Sequence, residues 1–156
     1  SKQEIESIEA EHETDPGDRK LQKLLAKDIT VRVHTEEEFK LALKASNILF
    51  GNSTTEELQS LNEETLLAVF EGVPQTTISK SDFESYANVT DLLSVTTNGF
   101  VFSSKGEARK MIQQGGVSIN KTKVSDANSK GTFTLLQSKY LLAQKGKKNY
   151  YLIKVE

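Results

Sequence analysis

The sequence contains no cysteine, which excludes a disulfide framework, a thiolate metal site and a cysteine nucleophile and suits a reducing cytosol. Cytoplasm is the expected compartment. No apolar run approaches the roughly 18 residues that a membrane helix needs, and the opening SKQEIESIEAEHE is acidic rather than signal-like, so no membrane partner is expected. Aromatic residues make up 7% and hydrophobic residues 36% of the 156, a lean supply for one large core that suits two small units. Only two histidines are present, both in the first half. There is no G-x-x-x-x-G-K-S/T loop, no G-x-G-x-x-G after a strand and no G-x-S-x-G elbow. No catalytic residue, metal ligand or cofactor site is assigned.

Net charge is also small, −2, but it is unevenly placed. Residues 1–88 hold 18 acidic and 9 basic side chains, net −9, whereas residues 89–156 hold 4 and 11, net +7. That asymmetry points to an anionic partner for the second half, with a first half that repels misplaced phosphate backbone.

The first half reads as helices. Residues 2–12 have helical spacing with Ile5 and Ile8 as the only large apolar members. The chain enters this helix from Ser1 without a cap, as expected of a piece cut from a longer protein. Glu9, Glu11, His12, Glu13 and Asp15 read as a solvated helix end rather than as metal ligands. Asp15-Pro16 signals a helix to about Val33 with Leu21, Leu24, Leu25 and Ile29 on one face, and His34 follows as a dipole-compatible cap. Thr35 to Glu38 form a capping box, with Phe39, Ala42, Leu43 and Phe50 on the next inner face and Gly51 as the stop. These two helices should pair as an antiparallel hairpin. Short helices over 54–61 and 62–71 come next, then a linker or edge strand over 73–80.

The second half is organised around residues 103–124, SSKGEARKMIQQGGVSINKTKV. Ser104 and Glu107 form a capping box, and Ala108, Met111 and Ile112 give the helix one buried stripe. Lys105 opposes the helix dipole and Arg109 lies one turn along the same edge, a placement that asks for an external anion. Gly115 fits a left-handed helix stop, Val117 and Ile119 alternate inward, and Asn120 to Lys123 make a basic hairpin turn. Before this stretch, Asn88 caps a short helix through Val89, Leu92, Leu93 and Val95, and Asn98-Gly99 marks a turn. After it, residues 132–136, 140–143 and 149–155 favour strands, with a turn over 145–148. The fold class expected is α+β: a helical region, residues 1–85, then a domain over 86–156 with two helices packed on a small, mostly antiparallel sheet.

Lys105, Arg109, Lys110, Lys121, Lys123, Lys145, Lys147 and Lys148 all fall on one helix edge or on hairpin tips, and are the candidate RNA-binding residues. Lysine without interleaved aromatics favours phosphate contact, so structured RNA is the expected ligand. Alternation puts Tyr151, Ile153 and Val155 on one face of the last strand and Tyr150, Leu152 and Lys154 on the other, so at least one tyrosine belongs to the core.

The stretch 103–124 resembles the αL motif of a small RNA-binding module found in a ribosomal small-subunit protein, pseudouridine synthases and bacterial tyrosyl-tRNA synthetases. The tail GKKNYYLIKVE and the segment DPGDRKLQKLLAKDITVRVHTEEE resemble the synthetases in particular. The resemblance implies an αL-type C-terminal module that grips tyrosine tRNA, notably its long variable arm, and a helical region that approaches the anticodon. It supports Lys105, Arg109, Lys147 and Lys148 as tRNA contacts, while Lys121 and Lys123 rest on charge and position. Gly106 and Gln144-Lys145 stand where arginines are frequent in that family, which loses bidentate contacts. The family's His-Ile-Gly-His-like and Lys-Met-Ser-Lys-Ser-like signatures are absent. ATP and tyrosine are therefore expected only in a catalytic domain outside this sequence, and the chain itself is expected to catalyse nothing. It is expected to be monomeric, the parent dimerising through its catalytic domain. Two other readings stand beside this one: a free-standing ribosome-associated RNA-binding protein, and a helical protein–protein interaction module.

Overall fold

A computed structural model describes residues 2–51 and 54–156 and divides the chain into two compact units, Ser1–Lys44 and Ala45–Glu156. Among the described residues no helix is long and apolar enough to cross a membrane.

The first unit holds α1 (Lys2–Thr14), α2 (Lys20–Val33) and the first part of α3 (Glu36–Phe50). Asp15 caps as expected, its side chain accepting from Gly17 N–H at 3.1 Å, but what it caps is a single 3-10 turn, Pro16–Asp18. Arg19, left-handed at φ 54°, then restarts the chain as α2. This break lets α2 fold back on α1, its main helical neighbour, where Lys20 and Glu11 pair at 2.9 Å; the expected α2–α3 hairpin is the weaker contact. The apolar face read into α2 does not become a core. Leu24, Leu25, Ile29 and Val33 are exposed, as is Ile5, and no hydrophobic side chain of this unit is buried among the described residues. Thr35 caps α3, accepting from Glu38 N–H at 3.1 Å. The side chain of Phe50, expected on the inner face of α3, lies outside the described residues.

The second unit is built on a five-stranded sheet ordered β1-β5-β4-β2-β3: β1 (Gln75–Ile78), β2 (Val117–Ile119), β3 (Thr122–Lys123), β4 (Tyr140–Lys145) and β5 (Asn149–Val155). β1 runs parallel to β5 and the other ladders are antiparallel. Both faces are covered, which explains why β4 reads YLLA without alternation and is buried at all four of those residues. On one face α7 (Val89–Asp91), its continuation Leu92–Thr96 and α8 (Lys105–Gln113) bury Leu92, Leu93, Phe102, Ala108 and Ile112 against Val117, Leu141 and Ile153. On the other, α4 (Thr55–Gln59) and α5 (Glu63–Val69) bury Leu58, Leu66 and Phe70 against Leu142, Tyr150 and Leu152.

This second layer moves the division of the chain. The compact units part inside α3 rather than near residue 85, because α4 and α5 pack on the sheet and residues 75–78 supply its edge strand. A further short helix, α6 (Lys80–Ser85), is capped by Ser79 and was not foreseen.

Two other local expectations change. Val95, the last apolar residue of the helix expected through Val89, Leu92 and Leu93, is exposed, because the helix widens over Leu92–Thr96 into a π-helical turn closed by Gly99 N–H to Ser94 O at 2.7 Å, which shifts the phase of the following residues. Residues 132–136 form no strand. Only Leu136 bridges to Tyr140 across a tight turn in which Gln137 and Ser138 are left-handed, and Thr134 O is taken by the Asn120 side chain at 2.8 Å.

Candidate nucleic-acid interface

α8 forms for the reasons its sequence suggests. Ser104 Oγ accepts from Glu107 N–H at 3.2 Å, and the reciprocal bond is displaced by one residue: Ser103 donates to Glu107 Oε2 from both its N–H (3.2 Å) and its hydroxyl (2.7 Å). The helix ends in a Schellman motif, with Gly116 N–H on Met111 O and left-handed Gly115 N–H on Ile112 O at 2.9 and 2.8 Å. The chain leaves directly as β2 and turns at Asn120-Lys121, both at positive φ (48° and 68°), a two-residue type I′ hairpin into β3.

Asn120, buried at 4% exposure, locks this hairpin to the sheet. Its N–H donates to Leu142 O at 2.8 Å, as a continuing β2 strand would. Its positive φ swings its own carbonyl out of the β2–β4 ladder, where that carbonyl accepts from Thr55 Oγ1 at 2.7 Å. The side-chain Oδ1 takes the vacated place and accepts from Leu142 N–H at 2.8 Å.

The eight candidate cations fall into two groups. Lys105, Lys121 and Lys145 are engaged within the unit. Lys105 Nζ lies 2.6 Å from Asp91 Oδ1, so the cation opposing the helix dipole meets an internal carboxylate, contrary to the external anion the sequence suggested. Lys145 Nζ lies 2.6 Å from Glu107 Oε1 and 4.7 Å above the Phe102 ring. Lys121 Nζ donates to Tyr150 Oη at 2.8 Å and sits 4.7 Å over its ring, which places it on the α4–α5 side of the sheet.

Arg109, Lys110, Lys123, Lys147 and Lys148 form the second group and are exposed. Arg109 reaches Asn128 Oδ1 at only 3.5 Å, and the side chains of the other four have no hydrogen-bond or ion-pair partner among the described residues. Three of these lysines come together at one end of the sheet. The β4–β5 turn carrying Lys147 and Lys148 is tied to the α8–β2 junction by Gly146 N–H to Gly116 O at 2.7 Å. At the same junction, the Lys123 ammonium lies within 2.6 Å of where a Cβ on Gly115 would stand.

Glu107 is the hinge-pin of the arrangement. Hydrogen bonds from Lys145 first, and from Ser103 second, hold its carboxyl below the usual glutamate range. A carboxylate with a lowered folded-state pKa adds stability that is complete above its unfolded pKa and is lost as pH falls through the folded one. Glu107→Gln should therefore flatten the acid limb of a plot of urea midpoint against pH between about 5 and 2. Parallel limbs for the two proteins would show that Glu107 contributes no such linkage.

Asp91 and Asn128 were invisible as partners in the sequence, since each comes from a separate loop or helix. The Asn-Lys pair between two short β runs was the available signal for Asn120.

The same features place the chain among known proteins. A family described as Tyrosine–tRNA ligase SYY-like C-terminal domain matches residues 65–153. A tyrosine–tRNA ligase of Cytophaga hutchinsonii is 60% identical over 154 residues, covering 99% of this chain and 36% of its own length. The ligase of Bacteroides thetaiotaomicron is 52% identical, covering 97% of this chain and 35% of its own, and that of Amoebophilus asiaticus is 43% identical, covering 99% and 36%. The chain thus spans about a third of the length of these curated relatives. With α8, its glycine stop and strands β2 to β4 inside the matched residues, which end within β5, the chain belongs to the tyrosine–tRNA ligase SYY-like C-terminal domain family.

Proposed function

We propose that the second unit binds tyrosine tRNA, on its long variable arm, and presents it to a catalytic region outside these 156 residues, where ATP and tyrosine bind; the chain itself catalyses nothing and works in the cytoplasm. The observation that carries this reading is the group of exposed cations without internal partners at the α8–β2 junction, fixed there by the Gly146–Gly116 hydrogen bond. Partnerless lysines on a rigid turn are suited to phosphates, because an A-form RNA helix offers shape, phosphates and 2′-hydroxyls rather than a readable major groove. The tyrosine–tRNA ligases similar to this chain support the choice of tRNA.

Filter binding over a salt series tests this. The chain should bind tyrosine tRNA more tightly than the same tRNA with a shortened variable arm or a ribosomal RNA fragment, with log affinity falling linearly in log salt. It should give no tyrosine-dependent pyrophosphate–ATP exchange above a buffer blank. Preference for the ribosomal fragment would favour a ribosome-associated protein instead. Absence of salt-dependent RNA binding would favour a protein–protein interaction module.

A further inference from the structure

Phe100 and Tyr151 stand apart from the other aromatic residues of the second unit. Phe100 is a large apolar side chain 36% exposed, and its ring meets the half-buried Tyr151 ring edge-to-face, with centroids 5.7 Å apart and planes at 80°. Two residues further on, Phe102 is fully buried and covered by the Lys145 ammonium at 4.7 Å. Phe100 has no such cation above it among the described residues. Tyr150, the other aromatic near the lysine turn, is buried on the opposite face against Leu142 and Leu152.

A lone exposed phenylalanine is ordinary. The position of this one is not. β5 leaves the lysine turn at Asn149, and strand alternation puts Asn149 and Tyr151 on the same face, about 7 Å apart along the strand. The Phe100–Tyr151 pair therefore lies one strand step from Asn149, the residue that follows Lys147 and Lys148 in the chain. A shallow cleft of about 250 Å³, lined by Val73, Pro74, Lys148, Asn149, Tyr150 and Tyr151 among others, opens at the same end of β5 and reaches Tyr151, although Phe100 is not part of its lining.

Resting on the reading of the second unit as an RNA binder, we propose that Phe100 and Tyr151 form a stacking platform for one unpaired nucleobase, while Lys147 and Lys148 hold the phosphates on either side of it. Bases inside a duplex are already stacked and paired, so the ligand is an unstacked nucleotide at a bulge, loop or junction beside the helix that the lysines grip. The platform is indifferent to which base it receives, because every base presents a π-face; it reads the presence of a flipped-out nucleotide, and thereby the shape of the RNA.

The chain has no tryptophan, so Phe100→Trp introduces a single tryptophan, excited selectively over the tyrosines, at the platform. With the whole chain, its emission should be quenched on addition of tyrosine tRNA and unchanged on addition of a blunt, fully paired RNA duplex. Phe100→Leu, which keeps the apolar bulk but removes the π-face, should weaken tRNA binding by about 5- to 150-fold at constant salt slope and leave duplex binding unaltered. Phe100→Trp should retain the affinity that Phe100→Leu loses. If tRNA binds with the expected salt slope, yet Phe100→Leu binds it as well as the parent chain or Phe100→Trp shows no quench, the platform is overturned and the phosphate-binding reading survives. If the unaltered chain binds no RNA, the underlying reading fails first, and the platform with it.

Discussion

Replacing Asn120 by Ala should destabilise the second unit by about 2–4 kcal/mol, read as a fall in the urea midpoint at unchanged slope. Two terms add. Leu142 N–H, buried in the middle of the sheet, loses its acceptor Oδ1, and Thr134 O loses its donor Nδ2, together at a cost of about 1–3 kcal/mol for polar groups left unpaired. The left-handed backbone at φ 48° suits asparagine better than alanine by about 1 kcal/mol. Asn120→Gly separates the terms, since glycine accepts the backbone freely but cannot reach Leu142; it should retain only the hydrogen-bond loss. A midpoint change below about 0.5 kcal/mol in Asn120→Ala, the range of an ordinary surface substitution, would show that water or main chain replaces the side chain and that Asn120 is not the lock.

Replacing Arg109, Lys110, Lys147 and Lys148 together by Ala should reduce the log–log salt slope of tRNA binding by about 3 units and weaken binding at 0.15 M salt by a factor of about 10²–10³. These four are exposed cations whose charges are not neutralised by a carboxylate among the described residues. Their removal should leave stability within about 0.5 kcal/mol per site. Lys145→Ala is the informative contrast. Its ammonium pairs with Glu107 and covers Phe102, so its loss should lower thermal stability and leave the slope nearly as it was. A quadruple variant that keeps the full slope would place the phosphates elsewhere on the molecule.

The elements of the second unit were legible where one local signal decides. Ser104, Gly115 and the run of residues 149–155 each depend on near neighbours, and each stands where expected, while the turn expected over 120–123 tightens to Asn120-Lys121 with Thr122–Lys123 as strand. What depends on distant residues was not legible. The layer of α4 and α5 on the second sheet face follows from Phe70 and Leu58 finding Leu142 and Tyr150, contacts between residues more than seventy apart in the chain. The candidate site divided for the same reason. Lysines were ranked by position on edges and tips, which treats Lys105 and Lys110 alike, whereas Asp91, fourteen residues upstream of Lys105, claims one and leaves the other. Charge counts mark a basic region; only the fold decides which of its charges are already spent.

The order of the strands also sets a timetable. β5 lies second in the sheet, with β1 on one side and β4 on the other, and it is synthesised about seventy residues after β1, roughly 4–14 s at ordinary rates of translation. Throughout that interval β1 lacks its strand neighbour, because among the described residues β5 is its only partner in the sheet. The lysine turn lies between β4 and β5, so it takes shape in the same moment that β5 arrives and the sheet closes. A nascent chain on the ribosome, surrounded by RNA, therefore carries no assembled lysine turn until β5 is in place.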